Sequence, residues 1–254
     1  MRKQFCLIFS TLFFISTTLL AQGYKLKTIV LDAGHGGPNV PGAAGKKSLE
    51  KDIALAVALK LQKKIQSEYP SIKVVQTRKS DVDIDWYKRA DIANEANGDI
   101  FISIHCNSVA TNRETTRGTE TFVGAYRRIN EMDAALKENQ DIVLNKNSKS
   151  AEKVNLSPEE TIKIAIYKSL FREKSLLLAK LVQKNYTENK MINRGVKEQG
   201  LYVLQRVAMP SILTEIGFIS HPKEEEYLIS NQGQTEIVNA IFEAIKEYKR
   251  IVEN

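Results

Sequence analysis

Histidine is scarce in this chain, with three among 254 residues. Cysteine is scarcer still: one of the two, Cys6, lies in the first few residues, and Cys106 alone cannot form an internal disulfide. No apolar run reaches the ~20 residues that a membrane-spanning helix needs; Phe5–Leu20 falls short of it. Dense basic tracts are also missing, and the positive charge is spread along the chain, which argues against a nucleic-acid partner.

What is there begins with a leader. Arg2 and Lys3 precede the Phe5–Leu20 run, and the small residue Ala21 closes it. A basic start, an apolar middle and a small cleavage residue predict a secretory signal peptide over 1–21, with a mature chain of 22–254 that is periplasmic or secreted. Without residues 1–21, Lys and Arg fall from 37 to 35 against 30 Asp and Glu, a net charge of +5. A weakly cationic exported protein suits an anionic polymer such as a cell wall.

Strand-like and helix-like runs then alternate. Thr28–Leu31, Ile72–Thr77, Ile100–Ile104, Gly118–Val123, Gly200–Gln205 and Ser211–Ile216 read as strands. Lys51–Gln66 reads as a helix with Ser48 as N-cap, and Leu49, Ile53, Val57, Leu61 and Ile65 recur every four residues on one face. Trp86–Asn97, stopped by Gly98, and Gln234–Val252 are further helices. The alternation predicts an α/β fold: a mainly parallel twisted sheet with helices on both faces. The stretch of about 124–175 breaks this rhythm with dense charge and no strand signal. Ser157-Pro158-Glu159-Glu160 is a strong helix start within it, so a helical insertion is expected.

Two of the histidines end hydrophobic strands, His35 in TIVLDAGH and His105 in DIFISIH. In an open parallel sheet, functional groups gather outside the carboxyl ends of the strands, so both imidazoles should meet at one edge and could share a metal. Glu50 opens the helix after the first of these strands and falls at the same edge, though an acid there also complements the helix dipole. Glu215 ends the apolar strand PSILTE and supplies a spare carboxylate suited to a general base, or to an ion pair. Asp32 is a candidate support for a ligand imidazole. His221, in Ser220-His221-Pro222, reads as a surface or cleft residue.

The segments IVLDAGHGG, SLEKDI, DIFISIHCNS, GTETFV and PSILTEIGFISH resemble, in order, the motifs of the zinc-dependent N-acetylmuramoyl-L-alanine amidases of the Amidase_3 type. Thr77-Arg78-x-x-Asp81 and the RADIAN segment fit the same pattern, and the resemblance spans Thr28 to Val252. It implies zinc on His35, Glu50 and His105, and Glu215 as the catalytic residue, base first and then acid. The implied substrate is peptidoglycan, cut at the amide between N-acetylmuramic acid and L-alanine, for cell-wall remodelling or daughter-cell separation. His221 departs from the Asn often found after the Gly-Phe-Ile-Ser run.

Cell-division amidases of this family also carry a helical insertion that can block the zinc until a partner displaces it. Ala134–Val143 and Ser157–Leu178 resemble that element, so an activator protein is an expected partner. Glu138, Glu159 and Glu160 are the candidates to fill the open zinc position. Two alternatives stand beside this reading. One is a zinc peptidase acting on stem peptides, which usually shows a His-x-x-Glu ligand pair or a second metal; neither is expected in this chain. The other is an inactive wall-binding protein, which would be expected to have lost one of the four polar residues.

Overall fold

The computed structural model describes residues 24–125 and 157–254. The expected leader over 1–21 and Ala134–Val143, with Glu138, lie outside the described residues. Among the described residues, no helix is long and apolar enough to cross a membrane.

The chain runs β1 (Thr28–Ala33), α1 (Glu50–Glu68), β2 (Lys73–Gln76), α2 (Trp86–Glu95), β3 (Ile100–Asn107) and β4 (Thr119–Gly124). It continues as α3 (Pro158–Glu188), β5 (Asn193–Gln199), α4 (Tyr202–Gln205), β6 (Ser211–Phe218), α5 (Pro222–Ile229) and α6 (Asn231–Glu253). The six strands form one sheet in the order β2-β1-β3-β6-β4-β5. Pairing is parallel throughout except between β4 and β6.

Continuous apolar strands are what a sheet covered on both faces requires. Ile29, Leu31, Ile102, Ile104, Ile212 and Ile216 pack on one face under α1, α3 and α6. Val30, Phe101, Phe122 and Leu213 face the other way, under α2 and α4. The four-residue repeat of α1 does bury its stripe, with Ile53, Val57, Leu61 and Ile65 nearly inaccessible.

Three local readings need correction. The strand expected at Gly200–Gln205 is a single helical turn, and the strand of this region lies just before it, at Asn193–Gln199. A short apolar run such as Leu201-Tyr-Val-Leu fits either period. The true strand, NRGVKEQ, is a half-exposed sheet edge paired only with β4, where polar residues are tolerated. Ser48 does not cap α1, whose N-cap is Leu49; the Ser48 hydroxyl donates to Glu225 instead (2.9 Å). The Ser157 start is as expected, with Pro at N1 and a full capping box to Glu160, but the helix runs on to Glu188.

Direction then decides what lies where. β1, β3 and β6 run the same way, so their C-terminal ends share one edge, and antiparallel β4 begins there. β4 therefore ends at the opposite edge, where the chain leaves toward the insertion. α3 returns along that edge: Lys168 donates to the Leu204 carbonyl, and Ser175 accepts the amide of Ser211 at the start of β6.

Candidate metal centre

His35 follows β1 in a turn that is unusual for a side-chain-bearing residue, with φ of 55°. This left-handed conformation costs about 1–3 kcal/mol and persists only where surrounding contacts impose it. Two buried arginines impose it here. Arg78 donates to the carbonyls of Ala33 (2.9 Å), Gly34 (2.8 Å) and Lys51 (2.7 Å). Arg89 donates to those of Ala33 and His35, both at 2.7 Å. Asp81 accepts the Gly37 amide (2.7 Å) and the Lys51 ammonium (2.5 Å), tying the turn to α1. These contacts are the physical content of the Thr77-Arg78-x-x-Asp81 and RADIAN segments.

The turn aims His35 at Glu50 and His105. Glu50 Oε1 lies 3.3 Å from His35 Nε2 and 3.0 Å from His105 Nδ1, and all three residues are buried. One potential ligand atom from each falls within 4.8 Å of the others. Backbone amides fix the carboxylate, from Cys106 to Oε1 (2.9 Å) and from Ala43 to Oε2 (2.7 Å). Burial pushes the Glu50 carboxyl up, but the two imidazoles outweigh it and hold it well below the usual carboxylate range. Glycines make room for the cluster: a Cβ on Gly34 would stand 2.5 Å from the His105 ring, and one on Gly42 2.6 Å from Glu50 Oε2 and His35 Cδ2.

The other side of His105 is equally defined. Its Nε2 lies 3.1 Å from Ser103 Oγ, which donates to Asp32 Oδ2 at 2.6 Å. Asp32 also accepts from Thr77 (2.6 Å) and Arg89 (2.7 Å). Burial raises its pKa, but Arg89 and the two hydroxyls bring it below the ordinary value, so Asp32 is ionised. The single Ser103 proton thus goes to Asp32, and the hydroxyl accepts from His105 Nε2–H. That leaves His105 Nδ1 facing the Glu50 carboxylate, an approach that only a second proton or a cation makes favourable. Two imidazoles and a carboxylate converging in this way fit a divalent metal, zinc in particular. Asp32 supports the imidazole as expected, but through Ser103 rather than by direct contact.

Glu215 pairs in register with His105 on the neighbouring strand, so both side chains leave the same face of the sheet. It is 2 % exposed. The four candidate residues are therefore brought to one edge. Next in the same row is Glu120 of β4, the register partner of Glu215 and also buried. Sequence reasoning passed over it; the available signal was a carboxylate inside the otherwise uncharged strand TETFVG.

Of the two readings of His221, surface or cleft, the structure supports the cleft: it lines a cavity with Arg117 and Lys223. The residue is 4 % exposed and caps α5, its Nδ1 accepting the Glu224 amide at 3.2 Å. His221 and Glu224 do have the His-x-x-Glu spacing, but the Glu224 carboxylate accepts the amides of Phe218 (2.7 Å) and Gly118 (2.8 Å). The pair is thus a cap and a loop tie. Nor do the described acids of the insertion reach the metal cluster. Glu160 closes its capping box and pairs with Arg206, and with Glu159 it opens α3 toward the opposite sheet edge.

Comparison with known proteins accords with this geometry. The family described as N-acetylmuramoyl-L-alanine amidase matches residues 29–247. The chain is 32 % identical over 225 residues to the Escherichia coli N-acetylmuramoyl-L-alanine amidase AmiC, covering 87 % of this chain and 52 % of that relative. A crystal structure of N-acetylmuramoyl-L-alanine amidase from Clostridium difficile 630 superposes with a TM-score of 0.65 at 28 % identity, over 89 % of this chain and 97 % of the other. The CwlD amidase of Clostridioides difficile, solved in complex with the GerS lipoprotein, gives 0.63 at 27 % identity, over 89 % and 99 %.

Proposed function

We infer that this chain, which belongs to the N-acetylmuramoyl-L-alanine amidase family, hydrolyses the amide between N-acetylmuramic acid and L-alanine in peptidoglycan. The observation that carries this reading is the convergence of His35, Glu50 and His105, with Glu215 one strand away.

Zinc held by those three side chains would supply a Lewis acid for the scissile carbonyl and would acidify water. The chain's own residues do the rest. Glu215 takes a proton from the attacking water as the carbon–oxygen bond forms. It returns that proton to the alanine nitrogen as the carbon–nitrogen bond breaks, so the leaving group departs as a neutral amine. Ser103 and Asp32 hold His105 in the tautomer that presents Nδ1, and Arg89 holds the carbonyl of His35.

Digestion of purified muropeptides with and without chelator, followed by product masses, tests the reaction. Release of the intact stem peptide, abolished by chelator, is expected. Cleavage within the peptide would make the protein a peptidase.

The setting follows from the substrate. The leader over 1–21 directs export, and the enzyme works in the cell envelope on wall remodelling or daughter-cell separation. An activator protein is a fitting partner, since a related amidase has been solved with a lipoprotein. If the 124–175 insertion restrains the site, Glu138 is the candidate blocking group, since Glu160 pairs with Arg206 and Glu159 opens α3 at the opposite sheet edge. Deleting residues 127–172 should then raise activity on sacculi, and unchanged activity in a folded deletion removes that role.

A further inference from the structure

The mechanism above leaves one charged group on the catalytic edge unused. Arg194 Nε and Lys197 Nζ both reach Glu120 Oε1, at 2.7 and 2.8 Å, and Asn107 Nδ2 donates to Oε2 at 3.1 Å. Asn107 ends β3 while Arg194 and Lys197 belong to β5, so the Glu120 carboxylate lies between those strands, alongside Glu215.

Residues three apart in a regular strand face opposite ways. Here the register shifts between Thr119 and Thr121, where β5 carries an extra residue, and Gly195 takes a φ of 95°. The bulge turns Arg194 and Lys197 onto the same face. The Arg194 guanidinium rests over the Phe218 ring (5.1 Å) and Lys197 Nζ over that of Phe122 (6.0 Å). One cation would neutralise Glu120. Two leave the Glu120 cluster with one positive charge in excess, next to Glu215, and both cations are partly exposed, at 37 % and 39 %, while Glu120 is 4 % exposed.

We propose that Arg194 and Lys197, organised by Glu120, form an anion subsite that receives a carboxylate of the substrate's peptide. The proposal rests on the amidase reading. Because both cations reach back over β4, they stand about one strand spacing, roughly 5 Å, from Glu215. A peptide residue spans about 3.3–3.6 Å, so the recognised carboxylate belongs one to two residues beyond the scissile carbonyl. A free α-carboxylate on the second residue of the stem peptide meets that requirement. Amidation of that group, which removes its charge, would be sensed here.

The test compares N-acetylmuramoyl-L-alanyl-D-isoglutamate with its isoglutamine analogue, in which the same carboxylate is an amide. The wild-type protein should favour the free acid by about tenfold in kcat/KM, mainly through KM. In Arg194→Gln/Lys197→Met the ratio should fall to near one. That variant strips a buried carboxylate of both cations, so Glu120→Gln/Arg194→Gln/Lys197→Met, which removes all three charges, accompanies it with the same expected ratio. Equal use of both substrates by the wild type, or a preference that survives in a folded variant, overturns the subsite. If neither substrate is cut, the amidase reading fails separately. Calorimetry of the zinc-free protein with L-alanyl-D-isoglutamate and its amide then decides. Tighter binding of the acid supports the subsite, and equal or absent binding of the two rejects it.

Discussion

The two edges of the sheet are built on different terms. At the edge where β1, β3 and β6 end, buried charges are held by several partners each. Asp32 alone accepts from Thr77, Arg89 and Ser103, and two arginines clamp the strained turn of His35. At the opposite edge the helix α3 carries Ile162, Ile166 and Leu170 in the open at four-residue spacing, 62 %, 51 % and 65 % exposed. Among the described residues, Lys168 on the same helix donates to the Leu204 carbonyl, and burial lowers its pKa to about 7. The difference separates chemistry from adaptability. Positions needed to within a fraction of an ångström sit where contacts over-determine them, and α3 begins where they do not.

Breaking the first edge should therefore cost much more than altering the second. Glu50→Gln removes the negative charge that faces both imidazoles, and zinc content by mass spectrometry should fall with activity, by more than ~100-fold in affinity. Ser103 and Gly34 supply no ligand atom themselves, yet Ser103→Ala removes the hydroxyl that meets His105 Nε2 and Gly34→Ala drives a Cβ into the ring. Each should weaken zinc binding by about 10–100-fold in a chelator competition. Undiminished affinity in both would mean that the supporting contacts do not fix the ligand.

Lys168→Met probes the other edge, where the effect should be on stability alone. The folded chain releases the Lys168 proton near pH 7, while the unfolded chain keeps it up to about 10.5, so the cost of this lysine is full below pH 7 and fades as pH rises through that window. The variant should melt higher than wild type at pH 6, with the gain shrinking by about pH 9.5 and activity on peptidoglycan within about twofold. A pH-independent gain would contradict the assignment.

Much of the metal site was legible in the sequence, because strand ends and helix starts locate residues by themselves. Glu50 opens α1, His35 follows β1 by two residues, and His105 and Glu215 lie within three residues of the ends of β3 and β6; a parallel sheet sends such positions to one edge. What escaped needed register. Ser103 reaches Asp32 only because β1 and β3 pair at those two residues. Glu120 meets Arg194 and Lys197 through a bulge that no periodicity announces. The helical turn at Tyr202–Gln205 and the cap at His221 were hidden for the related reason that short segments take their form from tertiary packing.

The most direct test of the central claim is Glu215→Gln, with zinc stoichiometry and muropeptide turnover measured on the same preparation. The variant should hold one zinc per chain as the wild type does, and lose turnover by about 10²–10⁴-fold. Full activity with zinc bound would show that Glu215 is not the base. Loss of zinc together with activity would show that it belongs to the metal site rather than to the proton transfer.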